Sequence, residues 1–232
     1  KIPKNIRDLL VAISIDGTSG TLVATDLNGK PLGKAIPYYQ SCLEEINSLP
    51  KVLKGQIDEL SSNSSLYRAF KLTKKYGINI LLRHQADWIS GWLLNDWACG
   101  EAGNNIKLGW DLIKKRWPTF FQDISWGKAL PNILSSGTII GQINPIIASD
   151  LGLSKKILIV AGTTDSNAAV LSTGCKLDEG ITILGSTIVI KIFMNKPIIG
   201  EGITNHIVSK KWLVGGSSNA GGAILKRFFN DS

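Results

Sequence analysis

Apolar residues along the chain fall into short continuous blocks, separated by clusters of Gly, Ser, Thr and Asn. Continuous blocks rich in β-branched residues predict strands covered on both faces, and apolar positions three or four apart predict helices. Ile157-Leu158-Ile159-Val160 is such a strand. It feeds a tight turn at 161–164, an aspartate at 165, and a helix of small residues that Gly174 can stop in a left-handed conformation. Towards the start, 10–15 predicts a buried strand, 21–25 a second and 34–38 a third, with Asn28-Gly29 as a hairpin turn. These three predict a β-meander. Helical spacing marks 41–46 (Ser41 and Glu44 at capping-box distance), 66–76 ending at Gly77, 86–97, 104–117 as one helix or two short ones, and 149–153. Residues 125–144 predict loops. Beyond Gly174 the pattern turns to strands again, at 180–184, 188–193 and 211–214. A glycine-rich stretch at 215–222 and a helix at 223–229 follow.

Composition narrows the class. The 232 residues are 44% hydrophobic, enough for one large domain or two small ones. The formal charge is +8, but the basic residues come in dispersed pairs such as Lys74-Lys75 and Lys210-Lys211. Without a basic stripe, they predict solvated surface and no nucleic-acid partner. No apolar stretch is long enough to cross a bilayer, so no membrane partner is expected. Cys42, Cys99 and Cys175 are far apart, and His84 and His206 stand alone. That pattern predicts a reducing compartment and no structural metal site.

Chemistry concentrates where strands deliver small-residue loops. An acid at a strand-to-helix junction, as at Asp165, either caps the helix or serves as a general base; the local sequence leaves both open. Three loops share one design: Asp16-Gly17-Thr18-Ser19-Gly20, Gly185-Ser186-Thr187, and 215–222 with Gly221 and Gly222. Glycine admits close approach of a ligand to backbone N–H groups, which suit phosphate oxygens. Neither GxxxxGK[ST] nor GxGxxG occurs, so P-loop and dinucleotide enzymes are not indicated.

These segments, with Gln85-Ala86-Asp87-Trp88, Leu184-Gly185-Ser186-Thr187-Ile188-Val189 and Trp212-Leu213-Val214-Gly215-Gly216-Ser217-Ser218-Asn219, resemble the FGGY carbohydrate kinases of the actin-like ATPase superfamily. The resemblance is greatest to the D-ribulose kinase branch of cyanobacteria and plastids, and it runs over nearly the whole chain. It implies an α/β fold of the ribonuclease H-like/actin-like ATPase type, with two lobes and a cleft. Residues 1–172 would be most of the sugar-side domain without its first hairpin, and 173–232 the start of the nucleotide-side domain. The chain would then be a central fragment, incomplete at both ends.

The implied activity is ATP-dependent phosphorylation of a ketopentose hydroxyl, D-ribulose to D-ribulose 5-phosphate. Alternatives are a kinase for xylulose or another sugar or polyol, or a non-catalytic sugar-binding fragment. By resemblance Asp165 is the base. Asp16, Thr18 and Ser19 line the sugar, and Gly185, Ser186, Thr187, Gly221 and Gly222 face ATP and its Mg²⁺. The separation of Asp16 from Asp165 is shorter than that of the family's first-loop aspartate from its base, which makes Asp16 the sugar-side motif. At Glu101 the family commonly has Asp; a solvated surface position is the other reading of that residue. The implied location is the cytoplasm, or the plastid stroma in a plant.

Overall fold

A computed structural model describes residues 2–48, 64–185, 187–218, 220–225 and 229. Packing divides the chain into two compact units, Lys1–Asp165 and Ser166–Ser232.

In chain order the first unit holds strands β1 (Ala12–Gly17) and β2 (Leu22–Thr25), helix α1 (Ser65–Tyr76), strand β3 (Leu81–His84), helix α2 (Gln85–Leu94), strand β4 (Cys99–Glu101), helix α3 (Ala102–Asn105), strands β5 (Asn132–Leu134) and β6 (Ile139–Gln142), helix α4 (Pro145–Leu151) and strand β7 (Leu158–Thr164). β7 lies between β1, parallel to it, and β6, antiparallel to it. The predicted β-meander does not form. β1 pairs with β7, and β2 pairs with β3, a strand absent from the sequence reading. The third strand of the meander is reduced to isolated bridges, Leu22 with Ile36 and Thr25 with Pro31. The Asn28-Gly29 turn is present. Asp26 Oδ1 accepts the N–H groups of Asn28 and Lys30, both at 2.9 Å, and Gly29 has φ 76°.

The helices follow their apolar spacing. In α1, Leu66, Ala69 and Leu72 are buried against Leu22, Leu82, Phe121 and Trp126. Ser64 caps its start by accepting the Leu66 N–H, and Gly77 ends it at φ 83°. Helix α2 stops earlier than its apolar run suggests, because Asn95 turns left-handed at φ 56°. Trp97 is therefore outside the helix, donating from Nε1 to the Trp88 carbonyl. Of the one helix or two short ones expected over 104–117, short pieces form: α3 and a single tight turn at Ile106–Leu108, which Gly109 ends at φ 113°. A second cluster, with Leu93, Ile143, Ile157 and Ile159, packs helices α2 and α4 against the β7 sheet.

Helix α5 (Asp165–Ser172) starts on the last residue of the first unit; the predicted boundary at 172 lies at its far end. The second unit then forms strands β8 (Gly180–Leu184), β9 (Ile188–Met194), β10 (Thr204–Val208) and β11 (Lys211–Ser218). They make a four-stranded antiparallel sheet in the order β10-β11-β9-β8. Val170, Phe193, Val208 and Leu213 form its core. β11 continues through Gly215, Gly216, Ser217 and Ser218, which the sequence reading placed in a loop. Of the helix expected over 223–229, the turn Gly222–Leu225 is present, and residues 226–228 lie outside the described residues.

Candidate active site

Asp165 is the first residue of α5, directly after β7, and it is exposed. The segment 162–164, predicted as a turn, is the end of β7, so the strand itself carries Asp165 to the helix. The reason lies in the partner strand. Gly162 sits so close to β1 that a Cβ there would come within 2.0 Å of the Ile15 carbonyl oxygen. Past that close approach, Asp16 Oδ1 accepts the Thr163 N–H at 2.7 Å. The loop 16–20 and the end of β7 are thereby tied together, and Asp16 and Asp165 hang from the same pair of strands.

Within this loop the predicted residues play different parts. Thr18 is committed to the fold: its N–H and hydroxyl both donate to Gln85 Oε1, at 3.1 and 3.0 Å, and its hydroxyl lies 2.7 Å from that of Thr21. Ser19 is half-buried, and its hydroxyl has no hydrogen-bond partner among the described residues. Gly20 turns at φ 95° against the stem of Lys107, whose Cδ would lie 3.1 Å from a Cβ at that position.

Lys107 is the residue that sequence reasoning missed. It stands in the tight turn Ile106–Leu108, half-buried, with Nζ donating to the Ser19 carbonyl at 3.3 Å. Its own carbonyl accepts from Ser64 Oγ at 2.7 Å, so the helix α1 cap also fixes this turn. Burial lowers the pKa of the ammonium, and the Arg68 guanidinium lowers it further; the Asp165 carboxylate opposes both. Arg68 is buried and donates to the carbonyls of Pro37, Tyr38 and Gln40, which holds the 37–40 segment beside Gly20. A lone lysine between Ile106 and Leu108 has no local signal; only the fold brings it to Ser19.

Beneath the loop lies a buried acidic network. Asp87 accepts from the Glu101 N–H and from Asn105 Nδ2, both at 2.9 Å. Glu101 caps α3, accepting from the N–H groups of Gly103 and Asn104 at 2.8 Å and from Asn104 Nδ2 at 3.0 Å. The solvated-surface reading of Glu101 is thus corrected, because its side chain is needed to satisfy a buried helix start. Burial pushes Asp87 up to about 6 and Glu101 up to about 7, against the hydrogen bonds that favour their ionised forms. Both residues help to line a small void of about 10 Å³ with Ala161 and Gly162, enough for about one water.

In the second unit, the structure brings together two loops that are distant in sequence. Gly185 N–H donates to the Thr187 carbonyl at 2.9 Å, and Gly222 N–H donates to the Gly185 carbonyl at 2.8 Å. Gly221 packs directly on the backbone of Thr187 and Ile188. Gly185 and Thr187 are exposed, whereas Gly221 is buried; Ser186 lies outside the described residues. Among the described residues no group of three or more His, Cys, Asp or Glu could hold a metal ion, and no helix is long and apolar enough to cross a membrane.

No family model matches the chain. The xylulose kinase of Haemophilus influenzae is 26% identical over 214 residues, covering 83% of this chain and 43% of that protein. The putative sugar kinase YoaC of Bacillus subtilis is 38% identical over 131 residues, covering 55% of this chain and 25% of that protein. Among solved structures, the xyloylose kinase of Brucella ovis superposes with a TM-score of 0.81 at 15% identity, covering 97% of this chain and 50% of that one. The chain therefore spans less than half the length of these curated relatives. The matches establish a distant link to the FGGY carbohydrate kinases in general and a fold consistent with theirs.

Proposed function

We propose that this chain carries the acceptor side, and part of the nucleotide side, of an ATP-dependent carbohydrate kinase acting on a ketopentose such as D-ribulose or D-xylulose. The observation that carries this reading is the placement of Asp165: exposed at a helix start, directly after a strand bonded through Thr163 to the loop of Asp16 and Ser19. Asp165 takes the proton of the acceptor hydroxyl as its oxygen bonds to the γ-phosphorus of ATP and the bond to the ADP oxygen breaks. Phosphoryl transfer asks for orientation and late proton acceptance more than for a strong base. Ser19 and the second oxygen of Asp16 contact sugar hydroxyls. Thr18 shapes the loop through Gln85 rather than touching the sugar.

MgATP is the co-substrate, with the metal neutralising phosphate charge. The exposed backbone at Gly185 and Thr187, with glycines at 221 and 222 packed behind it, is assigned to the phosphates; Gly185 has no Cβ to hinder close approach. Ser186 is assigned the same partner, ATP.

ADP release in the presence of D-ribulose or D-xylulose tests the reading. Asp165→Asn lowers turnover roughly a hundred- to ten-thousandfold, with the melting temperature unchanged. Turnover within a few-fold of the parent removes Asp165 from the role of base.

A further inference from the structure

We propose that Lys107 reads the acceptor sugar: its ammonium donates to the carbonyl oxygen of a ketose, and this contact sets a preference for ketoses over the corresponding polyols. The inference rests on the kinase reading above and deepens it.

Three observations lead there. First, Lys107 has one hydrogen-bond acceptor among the described residues, the Ser19 carbonyl at 3.3 Å, whereas an ammonium has three donors. Two N–H groups are left for a ligand. Second, the lysine is fixed in place. Ser64 holds its carbonyl and Gly20 supports its stem, so donating to a ligand costs little further ordering. Third, the loop whose Ser19 carbonyl takes the Lys107 ammonium is the loop that Asp16 ties to Thr163, two residues before Asp165. A donor-only group and an acceptor-only group are thus both anchored to the 16–20 loop. The neighbouring donors are committed elsewhere, Thr18 to Gln85 and Arg68 to the carbonyls of the 37–40 segment.

A hydroxyketone matches that pair. Its carbonyl oxygen only accepts and has nothing to offer Asp165, so it depends on Lys107. Its neighbouring hydroxyl donates to Asp165. A polyol has a hydroxyl in place of the carbonyl, which can turn its proton to another acceptor on the wall. Losing the ammonium therefore costs the ketose more than the polyol.

Calorimetric titration of the protein with D-ribulose and with ribitol, in the parent and in Lys107→Met, tests this. The expected result is a ketose affinity roughly ten- to hundredfold weaker in the variant, with ribitol affinity changed less than about threefold. Lys107→Gln, which retains two donors without the charge, is expected to fall between, and it serves if the methionine variant melts early. Equal losses for both ligands would mean that Lys107 only steadies the 16–20 loop, and would overturn the proposal, as would no loss for either. If the parent binds ketose and both variants bind it equally, Lys107 is dismissed and the kinase reading stands. If the parent binds neither sugar, the kinase reading falls and takes this inference with it.

Discussion

The Asp16 carboxylate and the Thr163 N–H meet at 2.7 Å across 147 positions of sequence. This charge-assisted bond forms where β1 and β7 shift register, between Ile15 and Gly17, and so marks the point at which ladder pairing gives way to the loop. Asp16→Ala leaves the Thr163 N–H without its acceptor. The expected loss is about 1.5–3 kcal/mol of stability, read from urea unfolding, together with weaker sugar binding. Asp16→Asn retains an acceptor oxygen and is expected to lose less than half as much. Equal stability of the alanine variant and the parent would show that the bond is not made in solution.

Gly162 is required for the same junction, for a steric reason. A Cβ there would meet the Ile15 carbonyl carbon at 2.6 Å and Asp16 Oδ1 at 2.7 Å, as well as the Ile15 oxygen. These are backbone atoms and a bonded carboxylate, so no flexible side chain can yield. Gly162→Ala is expected to push β1 from β7 and cost about 3 kcal/mol or more. Amide exchange should rise along both strands together. Gly174→Ala, at a left-handed helix end with open space around it, is expected to cost only about 1 kcal/mol.

This junction also shows what local pattern can and cannot reveal. Residues 157–160 read as a strand because burial on both faces requires a continuous apolar block, and the structure has one. The extension through Gly162, Thr163 and Thr164 was not legible. Gly-Thr-Thr has turn composition, and only β1 lying alongside makes it strand. The β-meander failed likewise: short apolar blocks and Asn28-Gly29 predict strands and a turn, but pairing with β3 accompanies burial of Leu22 and Leu82 in one cluster. Asp165 and Ser19 are singled out by the combination of motifs, and the structure places one at a helix start and the other in the loop tied to the strand before it. Lys107 was not legible, because its meaning comes from Ser64 and Ser19 rather than from its neighbours in sequence.

Arg68 supports the sugar-side loop from behind. Its guanidinium is buried and serves the carbonyls of Pro37, Tyr38 and Gln40. Arg68→Met fills similar space but leaves three part-buried carbonyls without this donor, at an expected cost of about 1–3 kcal/mol. Lysine cannot repair this, since a point ammonium cannot span three carbonyls as the planar fork does. Chymotrypsin provides the local readout: Tyr39 is already 74% exposed, and cleavage there should accelerate in the variant before global unfolding. Unchanged cleavage would show that the segment is held by other contacts.

The buried carboxyls make stability depend on pH in an unusual direction. In the folded chain burial holds Asp87 at about 6 and Glu101 at about 7, against ordinary values of 3.8 and 4.5. Between about pH 4 and pH 7 the folded state therefore binds more protons than the unfolded chain, and stability falls as pH rises through that window. His84 works the other way. Burial lowers it to about 3 from 6.5, so its contribution is lost as pH falls below 6.5. Two carboxyls outweigh one imidazole up to about pH 6, and above 6.5 Glu101 acts without opposition from His84. From pH 5 to pH 8 these three groups together remove on the order of 2 kcal/mol. Urea unfolding at half-unit steps should show that decline, with a continuing fall between pH 6.5 and 7.5. Glu101→Gln removes the titration, and its stability should be flat over that last interval although lower overall, because one amide oxygen replaces a carboxylate that accepts three N–H bonds. A parent protein that gains stability from pH 6.5 to 8 would show that Glu101 is ionised throughout, held so by those three donors.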